Sequence, residues 1–238
     1  RVLKLDKATG GLTDKSFKSR HCFDAARWQP AMDRLGVPHL EIPTSTVADD
    51  IAVKTVVSDA AARDRNLSKL DESNAYGKGK RRRAATYMHT PATLPIFNED
   101  GVRMVIKFGG TPTWGEPAAG AEWQATLHAG LVADGWLPAE GVPCLYTRTF
   151  EDGHDAIIAT IVDDVLVSDS AADFRGAKLL YSQLERRYGK GDTKMEHEPS
   201  SFAGLTLRRD RKRRALTLCM AAVIEQAARE HVPEYVAG

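Results

Sequence analysis

One stretch constrains this chain more than any other. The run Ile157-Ile158-Ala159-Thr160-Ile161-Val162 is β-branched and apolar, Asp163-Asp164 follows, and Val165-Leu166-Val167 resumes the apolar pattern at once. Runs of this composition favour a pleated, buried surface. The interruption is too short for anything but a tight turn, so the segment predicts a β-hairpin whose tip carries two carboxylates.

Around that hairpin the sequence reads as an ordinary globular chain. It has 238 residues, 42% hydrophobic and 27% charged, which excludes a disulfide miniprotein, a collagen-like repeat and bulk disorder. The 33 basic and 32 acidic residues leave a formal net charge of +1, so any affinity for nucleic acid has to be local. Apolar stretches such as 156–162 fall far short of the roughly 18 residues of a membrane span, and no membrane partner is expected. Position 1 is Arg, with no charged-then-apolar leader, which predicts an interior piece of something longer or a processed product. Cys22, Cys144 and Cys219 lie far apart without C-x-x-C spacing, so a zinc module is not expected and a reducing compartment fits best.

Patterning gives an α+β order. Up to about Ser45, Gly10-Gly11, Pro30, Pro38 and Pro43 break the chain into short strands and loops. Helical spacing of Ile51, Ala52, Val56, Val57 and Ala60 predicts a helix over 48–62, and Trp123, Leu127 and Leu131 predict another over 118–133. A third helix is expected over 171–188 and a last one over 220–229. Strands are predicted at 67–71, 104–108, 145–149, 156–162 and 165–167, then at 201–207 and 215–218 around an Arg-rich turn at 208–214. Helices interleaved with antiparallel strands define the α+β class.

The chemistry centres on acids. Adjacent carboxylates at a hairpin tip are suited to sharing divalent cations, which align a nucleophile with its leaving group and neutralise developing charge in phosphoryl transfer. Magnesium suits such a site, because one or two carboxylates, water and substrate phosphates are its usual ligands. The plainer reading, a turn whose acids face water, stands beside this one. Asp71 adds an acid at a predicted strand end, and Tyr76 follows five residues later, where an aromatic ring would lie against a sugar and sense its 2′-hydroxyl, or simply pack over a strand.

Several short motifs then line up in order: Lys18-Ser19-Arg20, Lys69-Leu70-Asp71-Glu72-Ser73-Asn74-Ala75-Tyr76, the segment 114–123, Val142-Pro143-Cys144-Leu145-Tyr146, Ile161-Val162-Asp163-Asp164 and Phe202-Ala203-Gly204. In this series the chain resembles the reverse-transcriptase domain of Ty1/copia-type retrotransposon polyproteins, from about Phe17 to His231. The resemblance implies a fingers-and-palm fold with a mainly antiparallel palm sheet. It implies a fingers-like part over 1–66 and a palm-like part over 67–238, with a fingers insertion near 77–120 and the start of a thumb after 219. It makes Asp71, Asp163 and Asp164 the catalytic and metal-binding carboxylates for two Mg2+ ions, or Mn2+, and assigns Tyr76, Lys18 and Arg20 to the incoming nucleotide. The implied partners are an RNA or DNA template-primer, dNTP and other segments of the polyprotein, in a cytoplasmic particle or the nucleus.

The chain also departs from that pattern. Ile161 stands where the family has an aromatic residue, and Ala118 and Gly120 replace polar and Pro residues. Residues 78–83, acidic in the family, are strongly basic here, so Lys78, Lys80, Arg81, Arg82 and Arg83 are candidates for nucleic-acid phosphates, with a solvated loop as the alternative. A catalytically decayed, nucleic-acid-binding or structural remnant is therefore the rival expectation. His197, between Glu196 and Glu198, reads as a surface loop residue, and Trp28, Trp123 and Trp136 read as core. The glycines match neither a P-loop nor a dinucleotide fingerprint.

Overall fold

The computed structural model describes residues 2–5, 12–18, 50–80, 86–89, 96–108, 111–112, 116 and 118–232. Within these the chain is a mixed α+β fold. Its centre is a six-stranded sheet in the order β10-β3-β9-β8-β7-β6, formed by Thr193–His197, Asn66–Glu72, Asp164–Asp169, Asp155–Ile161, Leu145–Thr149 and Leu137–Pro138. Every pairing in it is antiparallel.

Both faces of this sheet are covered, which is why β8 and β9 read as nearly continuous apolar runs rather than alternating ones. On one face Leu70, Tyr146, Ile158, Val165 and Val167 pack with Trp123, Leu127 and Leu131 of α3 (Ala119–Ala133) and Leu180 and Leu184 of α4 (Arg175–Tyr188). On the other, Leu67, Leu145, Ala159 and Leu166 meet Ala52, Val53, Val56, Val57 and Ala60 of α1 (Asp50–Ala62). Each fully buried Val, Leu or Ile contributes about 1.5–3 kcal/mol. This second core extends to Phe202 and Leu207 of a three-stranded sheet, β11 (Ser201–Phe202), β12 (Leu205–Asp210) and β13 (Ala215–Cys219).

The far end of β9 fixes α4. Asp169 is fully buried, and its carboxylate accepts hydrogen bonds from the backbone N–H groups of Ala171 (2.9 Å), Gly176 (2.6 Å) and Ala177 (3.1 Å). The last two satisfy donors that a helix start otherwise leaves orphaned. Gly176 permits the approach, because a Cβ there would lie 2.6 Å from the Cβ of Ala156.

Smaller elements complete the described residues: the β1–β2 pair (Val2–Leu5, Leu12–Lys18), the four-residue α2 (Ala75–Lys78), the β4–β5 pair (Thr86–His89, Val105–Phe108) and α5 (Ala221–His231). No helix among them is long and apolar enough to cross a membrane.

Several elements differ from the sequence expectation. The helix predicted from 171 begins at Arg175, because Phe174 adopts a left-handed conformation (φ 58°) that closes a turn first. The single strand predicted over 201–207 is broken by Ala203 and Gly204, both at positive φ, into β11 and β12. Arg208 and Arg209 belong to β12, leaving only 211–214 as the turn. His197 lies in β10 rather than in a loop, where its ring packs 4.0 Å from that of Phe174 and its Nδ1 meets Ser68 Oγ at 2.9 Å. The core expectation holds for Trp123 (1% exposed) and Trp136 (0%), while Trp28 lies outside the described residues.

Candidate functional site

The hairpin predicted from sequence is β8–β9, closed by the pair Ile161 and Asp164 around Val162 and Asp163. Val162 sits at φ 53°, in the left-handed region that a β-branched residue adopts only under constraint. Two hydrogen bonds supply that constraint. The Trp123 indole Nε1 donates to the Val162 carbonyl at 2.6 Å, and the Glu72 backbone N–H donates to the Asp163 carbonyl at 2.9 Å. The acid-bearing turn is thus tied to α3 on one side and to β3 on the other.

Strand register brings in the third acid. Asp71 pairs directly with Asp164 across β3 and β9, so both side chains leave the same face of the sheet. Directly opposed residues place their Cβ atoms about 4.5–5.5 Å apart, close enough for two like charges to destabilise the pairing. Two lysines offset this repulsion. Lys69, two residues before Asp71 and therefore on the same face, sets its Nζ 3.1 Å from Asp164 Oδ1. Lys194, opposite Asp71 on β10, sets its Nζ 3.7 Å from Asp71 Oδ2.

The electrostatics follow from this arrangement. Burial pushes the Asp164 carboxyl above its ordinary range, and the charges of Asp163 and Asp71 push the same way, while Lys69 works against them. The Tyr76 phenol is also raised, first by burial and then by the negative charge of Asp163. Tyr76 follows β3 in α2 and packs half-buried against the core beneath the acids.

The neighbouring acid Glu72 has a different role. Its side chain points to the opposite face, is 2% exposed, accepts a 2.6 Å hydrogen bond from Thr193 Oγ1 and pairs with Lys78. Lys78 also holds Asp192 at 2.9 Å. The ammonium group considered from sequence for nucleic-acid phosphate is therefore engaged by two carboxylates. Lys80 is exposed, and its backbone N–H donates to Thr126 Oγ1 at 2.7 Å. Lys18 ends β2, whereas Arg20, Arg81, Arg82 and Arg83 lie outside the described residues. In the second basic cluster, Arg209 and Arg211 both bridge Asp64 and Glu198, at 2.8–3.2 Å.

The fold thus brings Asp71, Asp163, Asp164 and Tyr76 to one end of β3 and the β8–β9 hairpin. The donors are hard carboxylate oxygens of the kind magnesium takes. Among the described residues no group of three His, Cys, Asp or Glu side chains is set to hold an ion, and a lysine stands on each of two carboxylates. A cavity of about 510 Å³, lined by Gln124, His128, Cys144 and Tyr146 among others, opens between α3 and the segment joining β6 to β7 and does not include the acids.

Sequence reasoning missed Lys69, Lys194 and the Trp123 tether. Lys69 carried a signal, since period-2 alternation puts it beside Asp71. Lys194 carried none, because its position depends on the pairing of β10 with β3.

No family model matches the chain, and no curated protein matches it. Among solved structures, the chain is similar to one described as telomerase from Candida albicans in complex with a TWJ fragment of telomeric RNA, at 10% sequence identity and a TM-score of 0.41. The match covers 79% of this chain, which spans only 39% of that one.

Proposed function

We propose that this chain is the fingers-and-palm part of an RNA-directed DNA polymerase of the copia retrotransposon type, acting on an RNA or DNA template-primer and dNTP within a larger polyprotein. The observation that carries this reading is the register of Asp71 against Asp164, with Asp163 in the adjoining turn and Tyr76 beside it. In this reading residues 1–66 are fingers-like and 67–238 palm-like, with the insertion near 77–120 and a thumb beginning after 219.

Magnesium is the cofactor the resemblance implies, and its chemistry is charge neutralisation at the primer 3′-hydroxyl and the departing pyrophosphate. The chain's own contributions are separable from it. The hairpin tip fixes where carboxylates stand, the tethers from Trp123 and Glu72 hold the turn against its strain, and Tyr76, partly buried against the core, would offer its ring to a sugar edge.

A second reading, a non-catalytic remnant that binds nucleic acid or serves only as structure, is favoured by the two lysine pairs on the acids. Magnesium-dependent extension of a labelled primer on RNA and DNA templates separates the two readings, with template-primer binding measured in parallel. Extension that disappears in Asp163→Asn and Asp164→Asn supports the polymerase. Salt-sensitive binding without extension in the parent supports the binding remnant, and neither activity supports a structural role.

A further inference from the structure

Three adjacent strands present a patch of mixed charge on one face: Lys194 on β10, Asp71 and Asp164 in register with it on β3 and β9, and Lys69 two residues before Asp71 on β3. Each ion pair crosses one strand boundary, Lys194 to Asp71 and Lys69 to Asp164. Together with Asp163 at the turn, the five groups carry one net negative charge, where the three carboxylates alone would carry three.

We infer that Lys69 and Lys194 are internal counter-ions standing where a divalent cation would otherwise be drawn, so that cation binding to this face is coupled to their withdrawal. The inference rests on the palm reading of the three aspartates only for the class of ligand, a hard divalent cation.

The two lysines differ in how firmly they are held. The Lys194 side chain is 74% exposed and its contact with Asp71 is long, at 3.7 Å, as expected of a weak surface pair. Lys69 is 22% exposed and meets Asp164, 21% exposed, at 3.1 Å, a charge-assisted hydrogen bond shielded from solvent. Both ammonium groups end flexible four-carbon stems that can swing towards water. Lys194 therefore leaves at little cost, and Lys69 is the dominant barrier. While they remain, an arriving cation meets positive charge within about 4 Å of its ligands, and the repulsion cancels much of the attraction of the carboxylates.

The test is the affinity of the full chain for Mn2+, read as loss of the free-ion electron paramagnetic resonance signal. Folding of each variant is checked by circular dichroism. The Lys69→Gln Lys194→Gln double variant is expected to bind Mn2+ about tenfold or more tightly than the parent. Adding Asp71→Asn and Asp164→Asn is expected to abolish the gain. Equal affinity of the parent and the folded double variant overturns the inference, as does a gain that survives loss of the two aspartates. Should the double variant not fold, Lys194→Gln decides, because its side chain is exposed: a gain of about twofold is expected, and unchanged affinity overturns the inference. Tighter Mn2+ binding without primer extension overturns the polymerase reading and leaves the lysine inference standing. Unchanged Mn2+ affinity overturns the lysine inference whatever the extension assay gives.

Discussion

Strand β9 begins and ends with an aspartate, and the two are held in different ways. At its end, Asp169 is fully buried and receives three backbone N–H groups, two from the first turn of α4 and one from Ala171 in the turn that leads into it. At its beginning, Asp164 is partly exposed, faces Asp71 across the sheet, and is balanced by the Lys69 ammonium at 3.1 Å. Backbone donors cannot leave without unfolding a helix turn, whereas a lysine ammonium can. The first arrangement builds the fold. The second ties a carboxylate to a side chain instead of to the backbone.

Asp169→Ala breaks this comparison most severely if it is wrong. Three buried donors lose their acceptor, so the variant is expected to lose about 3 kcal/mol, and thermal unfolding followed by circular dichroism should show a midpoint lowered by roughly 6–12 °C. A shift within error would mean that water or a relaxed backbone replaces the carboxylate, and its structural role would fall.

Gly176→Ala sharpens the same end of the strand. The added methyl meets Ala156 Cβ at 2.6 Å and Asp169 Oδ2 at 3.0 Å, so overpacking should cost about 1–3 kcal/mol in a denaturant titration. A neutral result would show that the helix start has slack the capping geometry does not suggest.

Asp164→Asn should have the smallest effect on stability, and its sign depends on pH. Burial holds the Asp164 carboxyl above its ordinary 3.8, so the fold favours its neutral form. The stabilisation from protonation is fully present below that ordinary value and is lost as pH rises through the raised one. An Asn is neutral throughout. At pH 7 the variant should equal or exceed the parent by about 1 kcal/mol or less, and this advantage should close below about pH 4. A loss as large as that of Asp169→Ala would put the two aspartates in one class and remove the physical distinction between them.

How much of this was legible in the sequence follows the same division. The hairpin was, because burial on both faces leaves an uninterrupted β-branched run and the acids interrupt it once. Helices α1 and α3 were, because their apolar stripes recur at helical spacing. Strand β10 was not: Thr-Lys-Met-Glu-His has a single buried residue and lies at the sheet edge, so packing wrote little hydrophobic pattern into it. Without β10 the partner of Asp71 was invisible, and so was that lysine's share in offsetting the charge of the acids. The Arg-rich segment was only partly legible for a related reason. Read as a bare turn, it hid that Arg209 and Arg211 bind Glu198, 11 and 13 positions away, and Asp64, 145 and 147 positions away, residues that only the fold brings near.

The hydrogen bond from the Trp123 indole to the Val162 carbonyl also gives the molecule an optical gauge. That indole ends one residue from Asp163, whereas the fully buried indole of Trp136 donates to Gln183 at 2.9 Å. A charge arriving at the hairpin tip changes the field along the first chromophore and leaves the second as a built-in reference. With Trp28 and Trp114, the other two of the four tryptophans, replaced by Phe, the emission would carry a titration signal for whatever settles on the acids.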